Sequence, residues 1–335
     1  MENLRMPPTP LTVVEICAGA GGQSVGLEQA GFRHVLAVEI DPDAAATLRA
    51  NRPGWHVVTG DVRDVEGFDV PRTDLLAGGV PCPPFSIAGK QLGADDERDL
   101  FPEALRLVEE IKPRAVMLEN VRGLASTRFD TYRESILAKL ADLGYETHWR
   151  LVQASDFGVP QLRPRFILVA LQPDVARHFE WPASQDDAPT VGETLGQLMA
   201  ANGWKGARAW AARADGIAPT VVGGSKKHGG PDLGPTRARA KWLELGVDGR
   251  GVVEEAPPAH TPDDFTPRLT NQMVARIQGF PADWKFVGRK TAVYRQIGNA
   301  FPPPVAEAIG GAIASAIREA DRMSSAKVER AVEAV

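Results

Sequence analysis

Cysteine is scarce in this chain: two in 335 residues, Cys17 and Cys82. That is too few for a disulfide framework or a cysteine-held zinc cluster, so a reducing compartment, the cytoplasm, is expected and no metal site is. Long apolar runs are also missing. The longest strand-like one, Phe166 to Leu171, has six residues, against ~20 for a membrane span. The opening MENLRMPPTP lacks the apolar stretch of a secretion signal. No strong charge of one sign is present either; the net charge is −5. With 43% hydrophobic and 24% charged residues, the composition is that of a globular protein with a sizeable core, and it excludes disorder as the main state.

The charge is unevenly placed. Residues 201–250 hold nine Lys/Arg and four acids, a local +5 on a remainder of −10. Such a segment is either a polyanion footprint or a solvated, loop-rich surface.

Strand-like apolar runs at 12–17, 34–38, 56–59, 75–78, 115–118, 147–152 and 166–171 alternate with helical patterns. Asp130–Leu143 carries Ile136, Leu137, Leu140 and Leu143 on one stripe and stops at Gly144. Phe101–Ile111 groups Leu105, Val108 and Ile111 and stops before Pro113. The alternation predicts an α/β fold with a mostly parallel, doubly wound sheet. From about residue 180 to 267 periodicity weakens and Gly, Pro, Trp and basic residues accumulate; Gly223–Pro235 reads as loop. Pattern returns at Leu269–Phe280, and a last helix is expected from near Pro302. The expected division is a first catalytic part at 11–178, an inserted domain at 179–281, completion of the sheet domain at 282–320 and a tail at 321–335.

The first strand runs into GAGGQSVG (Gly19–Gly26), a turn that lets backbone approach a ligand. Glu39 ends the second run, twenty residues after Gly19, and Asp61 ends the third. Carboxylates at strand ends beside a glycine turn suit a ribose diol; helix N-capping is the alternative reading. The phosphate-binding lysine of a GxxxxGK[ST] loop is absent, which favours S-adenosylmethionine over a dinucleotide. Cys82 stands among Pro81, Pro83 and Pro84 at the end of the fourth run, rigidly held as a nucleophile would be; a buried inert thiol is the alternative. Glu119 ends the fifth run, and Arg163 and Arg165 share a face if extended. A thiolate can add to an electron-poor ring carbon while an acid and an arginine hold the ring. A structural role is the alternative for Glu119.

These residues, in this order, resemble the bacterial DNA cytosine-5 methyltransferases. The matching stretches are EICAGAGGQSVG (15–26), EIDPDA (39–44), GDV (60–62), GGVPCPPFS (78–86), RDLF (98–101), ENV (119–121), QLRPR (161–165), RLT with RIQGFP (268–281), and YRQIGNAFPPPVA (294–306). They span about 290 residues. The resemblance implies a Rossmann-like methyltransferase fold with a smaller inserted target-recognition domain, and S-adenosylmethionine as methyl donor. It implies Cys82 as the thiol that attacks cytosine C6, Glu119 at N3 and the exocyclic amine, and Arg165 with Arg163 holding the base. It assigns the cofactor to Cys17, Ala18, Gly19, Gly21, Gly22, Glu39, Ile40, Asp61, Val62, Gly79, Pro81, Leu100, Asn299 and Phe301. The target base is flipped out of the duplex, with 81–93 closing over it. Double-stranded DNA is the expected partner, touched by Ser86, Lys226, Lys227, Arg237, Arg239 and Lys241. A cognate restriction endonuclease, a monomeric state and no membrane association complete the expectation. Three positions depart from the family pattern: Cys17 for a usual Phe, Pro83 for Gln and Gln272 for Glu. Cys17 reads as packing, Pro83 as a change of loop stiffness, and Gln272 as neutral for catalysis. A tRNA methyltransferase and a non-catalytic DNA-binding regulator are the competing readings.

Overall fold

The computed structural model describes residues 10–70, 73–81, 99–185, 187–224 and 230–333, with side chains described as far as Lys327. The first half alternates strand and helix: β1 (Leu11–Ile16), α1 (Gly22–Gln29), β2 (Phe32–Glu39), α2 (Pro42–Asn51), β3 (Val57–Thr59), β4 (Leu75–Gly79), α3 (Phe101–Ile111), β5 (Ala115–Val121), α4 (Asp130–Asp142), β6 (Glu146–Gln153), β7 (Gln161–Leu162), β8 (Pro164–Leu171) and α5 (Pro173–Ala176). Then come α6 (Val191–Met199), α7 (Ala207–Arg213), β9 (Ala218–Pro219), α8 (Thr236–Glu244), α9 (Asn271–Ile277), α10 (Lys290–Asn299) and α11 (Pro303–Glu333).

Seven strands form one sheet in the order β3-β2-β1-β4-β5-β8-β6. All run parallel except β8, which is antiparallel to both β5 and β6. β1 is the switch point. The chain winds outward from it in both directions, so a crevice opens at the carboxyl ends of β1 and β4. Strands covered on both faces are almost wholly apolar: Phe166–Leu171 of β8 and Ala115–Leu118 of β5 are buried throughout. β6 is the edge strand and its side chains are mostly exposed or half-buried.

The two faces have separate cores. Val14, Ile16, Leu76, Val116 and Leu118 pack under α3 and α4. Val13, Leu75, Ala77, Ala115 and Met117 pack under Ile309, Ile313 and Ile317 of α11. The last helix therefore completes the domain begun by the first strand, and its contact with α1 is tight. A methyl group on Gly22 would lie 2.2 Å from the Phe301 carbonyl oxygen, and one on Gly26 2.3 Å from that of Pro303.

A third cluster gathers Trp204, Trp210, Trp242, Leu233, Val247, Met273, Ile277 and Phe280. It continues past residue 281 through Trp284 and Tyr294 to Ala300, and it also takes in Ala45 and Leu48 of α2. Within the segment whose periodicity is weak, three helices form: α6, α7 and α8. α7 and α8 bury few side chains, Trp242 alone on α8, and carry no sustained stripe; α6 does carry a short one, Val191, Leu195 and Met199. One stripe on α3 is rotated from expectation. Phe101, Ala104, Leu107 and Val108 are its buried positions, while Leu105 and Ile111 are half-buried. α4 ends as read, with Gly144 at φ +89.

Candidate active site

The turn after β1 is built on positive φ angles: Cys17 at +51, Gly19 at +58 and Gly21 at +91. A glycine adopts such angles without the penalty a Cβ imposes. The turn is closed by Gly21 N–H donating to the Ala18 carbonyl at 3.2 Å. Gly21 is doubly constrained, since a Cβ there would meet the Trp284 ring at 2.6 Å. Glu39, at the end of β2, locks the turn in place. Its Oε2 accepts from Gly19 N–H and its Oε1 from Asp41 N–H, both at 2.7 Å. Each oxygen keeps a second lone pair for a ligand hydroxyl. Burial, the largest effect, raises the Glu39 pKa against these bonds. N-capping is real as well, but it falls to neighbours: Asp41 caps α2, with Pro42 in its first turn, and Asp61 caps a short turn at Val62–Asp64 while pairing with Arg63 at 3.1 Å.

A cavity of about 610 Å³ lies at the carboxyl ends of β1, β2, β4 and β5. Cys17, Ala18, Gly19 and Gly22 form its floor; Glu39, Ile40, Asp61 and Val62 one wall; Gly79, Pro81, Leu100 and Glu119 the next; Asn299 and Phe301 the far side. Of the residues expected around a cofactor, only Gly21 stays out of the lining, because it is turned against Trp284. The structure adds residues the sequence reading missed: Glu15, Gln23, Arg63, Arg295 and Gln296 among them. Three had a usable signal. Glu15 lies two residues before Cys17 on an alternating strand, and Arg295 and Gln296 lie within one helical turn of Asn299.

Cys17 is not poised for chemistry. Burial, then Glu39, Asp61 and Glu15, push its thiol up to about 12, so it stays neutral near pH 7.

Glu119, which lines the cavity, meets Arg165. In the antiparallel β5–β8 ladder Glu119 is opposite Ile167 and Val121 is opposite Arg165, so the two side chains are diagonal neighbours on one face. Arg165 Nε lies 2.6 Å from Glu119 Oε1, and each side chain is 12% exposed. Burial raises the Glu119 pKa, opposed by Arg165 and Arg163. Burial likewise lowers that of Arg165. The next residue, Asn120, donates to the Val80 carbonyl at 2.6 Å, tying the end of β5 to the end of β4 just before Pro81.

Arg163 is placed differently from its expected role beside the base. It is 1% exposed; neither it nor Arg165 is among the residues lining the cavity, which Glu119 reaches. Its guanidinium donates to the carbonyls of Val221 (2.6 Å), Gly298 (2.8 Å) and Ala300 (3.0 Å). It clamps three backbone segments together, and Arg165 alone of the pair faces Glu119.

Two glycines, Gly223 and Gly224, pack against the cavity-lining Asn299. A Cβ on Gly223 would fall 2.6 Å from Asn299 Oδ1, and Asn299 Nδ2 donates to the Gly224 carbonyl at 3.2 Å. Of the residues expected on DNA, Arg237 is exposed on α8, Arg239 bonds Thr236 at 3.3 Å and Lys241 pairs with Glu244 at 2.9 Å. Cys82, Pro83, Ser86, Lys226 and Lys227 lie outside the described residues. Gln272 is exposed on α9.

Comparison with known proteins agrees with this geometry. The family model for C-5 cytosine-specific DNA methylases matches residues 11–315. The Type II methyltransferase M.NaeI of Lentzea aerocolonigenes is 63% identical over 311 residues, covering 92% of this chain and 75% of that protein. M.NgoMIV of Neisseria gonorrhoeae, also a Type II methyltransferase, is 53% identical over 314 residues, covering 92% and 98%. Among solved structures, a DNA modification methyltransferase from an E. coli prophage aligns with TM-score 0.65 at 24% identity, over 92% of this chain and 99% of that one. The Dnmt2 methyltransferase of S. pombe aligns at 0.59 and 17%, over 93% and 99%; at these identities the likeness is one of fold. With a family model matched across nearly its whole length, this chain belongs to the C-5 cytosine-specific DNA methylases.

Proposed function

We propose that the chain transfers a methyl group from S-adenosylmethionine to C5 of a cytosine flipped out of duplex DNA, through a transient bond between Cys82 and C6. The observation that carries this reading is the Glu119–Arg165 pair, 2.6 Å apart, whose Glu119 lines the same cavity as the Glu39-locked glycine turn.

The cavity's chemistry fits the methyl donor. Glu39 and Asp61 offer acceptors for a nucleoside, and the volume is that of a small-molecule site. When bound there, the donor supplies an electrophilic methyl on sulfur. Glu39 would hold the ribose hydroxyls, and Ile40, Val62 and Leu100 would flank the base.

At the other end, Arg165 holds the cytosine ring beside Glu119. A carboxyl whose pKa is raised by burial keeps its proton more readily and donates it toward ring N3. That withdraws electrons from C6 as the Cys82 thiolate adds to it, and C5 becomes the nucleophile. C5 takes the methyl, its proton leaves to a base, and the Cys82–C6 bond breaks to restore the ring. Attack at C6 requires the base out of the stack. Arg237 and the +5 segment supply phosphate or base contacts on the recognition side.

The relatives' Type II designation supports placement in a restriction–modification system, with a companion endonuclease, in a bacterial cytosol. No described helix is long and apolar enough to cross a membrane. The test is transfer of labelled methyl from S-adenosylmethionine to duplex DNA and to tRNA. Duplex-specific transfer that vanishes in Cys82→Ser, with donor binding retained, supports the proposal. Transfer to tRNA alone, or full turnover by Cys82→Ser, overturns it.

A further inference from the structure

Arg52 and Arg250 grip carboxylates in the same way but differ in what the grip leaves over. Arg52 holds Glu28 through Nε and Nη2. Its Nη1 is spent on the Asn51 carbonyl at 2.9 Å, and its guanidinium lies over the Trp55 and Trp284 rings. Arg250 donates from Nε to Asp248 Oδ1 at 2.8 Å and from Nη2 to Oδ2 at 2.9 Å, and its backbone N–H also reaches Oδ1 at 3.0 Å. Asp248 is fixed in turn. Arg268 Nε donates to its Oδ2 at 2.9 Å, and its own N–H donates to the Pro267 carbonyl at 2.9 Å. The Asp248 side chain is 15% exposed and that of Arg250 73%.

A guanidinium carries its five N–H donors in a fixed fork. On Arg250 the Nε–Nη2 edge belongs to Asp248, and the Nη1–Nη2 edge meets no other group among the described residues. An exposed ion pair adds little stability, and holding a long side chain in one rotamer costs entropy. The grip therefore orients the fork more than it stabilises the fold. What it presents is a planar pair of parallel donors. Guanine has the matching acceptors, N7 and O6, on its major-groove edge, and no other base shows two acceptors side by side there. A phosphate can be approached from many directions and gains little from a fixed plane. The position fits as well. Arg250 belongs to the +5 segment. A Cβ on the neighbouring Gly249 would stand 3.2 Å from Arg239, and the Gly249 carbonyl accepts from Leu233 N–H at 2.9 Å. The Asp232 carbonyl accepts from the Tyr294 hydroxyl. Tyr294 lies on α10, five residues before the cavity-lining Asn299, or ~7 Å along the axis. The turn bearing Arg250 is thus tied to the helix that ends at the cavity.

We infer that Arg250 reads a guanine of the target site through its N7 and O6, with Asp248 as the positioning residue that fixes the plane of the fork and Arg268 steadying Asp248 from the other side. The inference rests on the duplex-DNA reading proposed above and gives it a specificity residue. Arg250 selects which duplex is engaged; Glu119 and Arg165 act on the cytosine.

The test is methylation of a pool of duplexes of randomised sequence by the full chain, with modified sites read by bisulfite sequencing, beside DNA binding over a range of salt. The parent is compared with Arg250→Ala and Arg250→Lys; the lysine keeps the charge but has no fork to engage Asp248 and a base together. Both variants should lose preference for guanine at one position relative to the methylated cytosine, by roughly tenfold to a hundredfold. Preference at the other positions should stay as strict as in the parent, and Arg250→Lys should keep the parent's slope of log K against log salt. Asp248→Asn should relax that same position by a smaller factor, which an acid with a merely structural role would not do. Site preference unchanged in both Arg250 variants overturns the inference. So does relaxation at a position other than guanine. Equal weakening on every sequence, with the slope reduced by about 1 in Arg250→Ala, marks a phosphate contact and also overturns it. A parent chain that methylates no duplex in the pool overturns the proposed function itself.

Discussion

Removing one member of the Glu119–Arg165 pair separates what the pair does for the fold from what it does for chemistry. Both side chains are 12% exposed, so solvent does little to screen the charge left behind. Breaking a buried pair from one side costs about 3–5 kcal/mol, whereas replacing both partners by apolar side chains of similar size is near neutral. Glu119→Leu and Arg165→Met should therefore each lower the melting temperature by roughly 6–10 °C, at ~2 °C per kcal/mol for a chain this long. The double variant should return to within about 2 °C of the parent, a coupling of roughly 5 kcal/mol or more in a double-mutant cycle. All three variants should lose methyl transfer. Thermal melting and single-turnover transfer on the same samples measure both. Additive losses of stability in the double variant would refute the reasoning, as would transfer surviving in any of the three.

Cys17, pushed up to about 12 by burial and three nearby carboxylates, should be protonated and unreactive from pH 6 to 10; mass spectrometry after iodoacetamide at pH 8 should find it unmodified, and labelling at the rate of a free thiol would contradict this. Lys226→Ala/Lys227→Ala should weaken DNA binding and reduce the slope of log K against log salt by about 2; an unchanged slope would move the DNA face elsewhere. Gly26→Ala gains about 1 kcal/mol of helix propensity but sets a methyl 2.3 Å from the Pro303 carbonyl oxygen, at an overpacking cost of about 1–3 kcal/mol. A net fall in melting temperature is expected, and a rise would show that α1 and α11 are free to separate.

Strand and helix alternation was legible because a two-sided sheet demands continuous apolar runs, and β8 and β5 have them. Glu39, Asp61 and Glu119 could be found because each closes such a run, and strand ends converge on one crevice. The placement of Arg163 was not legible. Two arginines spaced by one residue look equivalent in sequence, yet Arg163 sits in the gap between β7 and β8 and is captured by carbonyls from residues 221, 298 and 300. Those partners are 58 to 137 positions away, and local pattern carries no trace of them. The packing of Gly21 is hidden for a similar reason: its neighbour is Trp284. Beyond residue 180, α7 and α8 were illegible because a tryptophan anchors each, Trp210 and Trp242, and one large buried side chain leaves no period; the Val191, Leu195 and Met199 stripe of α6 spans only nine residues.

The central claim is a covalent bond from residue 82 to the pyrimidine edge. The most direct measurement incubates the chain with S-adenosylmethionine and duplex DNA substituted with 5-fluorocytosine, which cannot lose its C5 substituent as a proton. The account predicts a stable protein–DNA conjugate whose tryptic map places the nucleotide on Cys82, absent without the methyl donor and absent in Cys82→Ser. Sequence-specific methylation of ordinary duplex DNA with no conjugate formed, or a conjugate mapped to another residue, would contradict it.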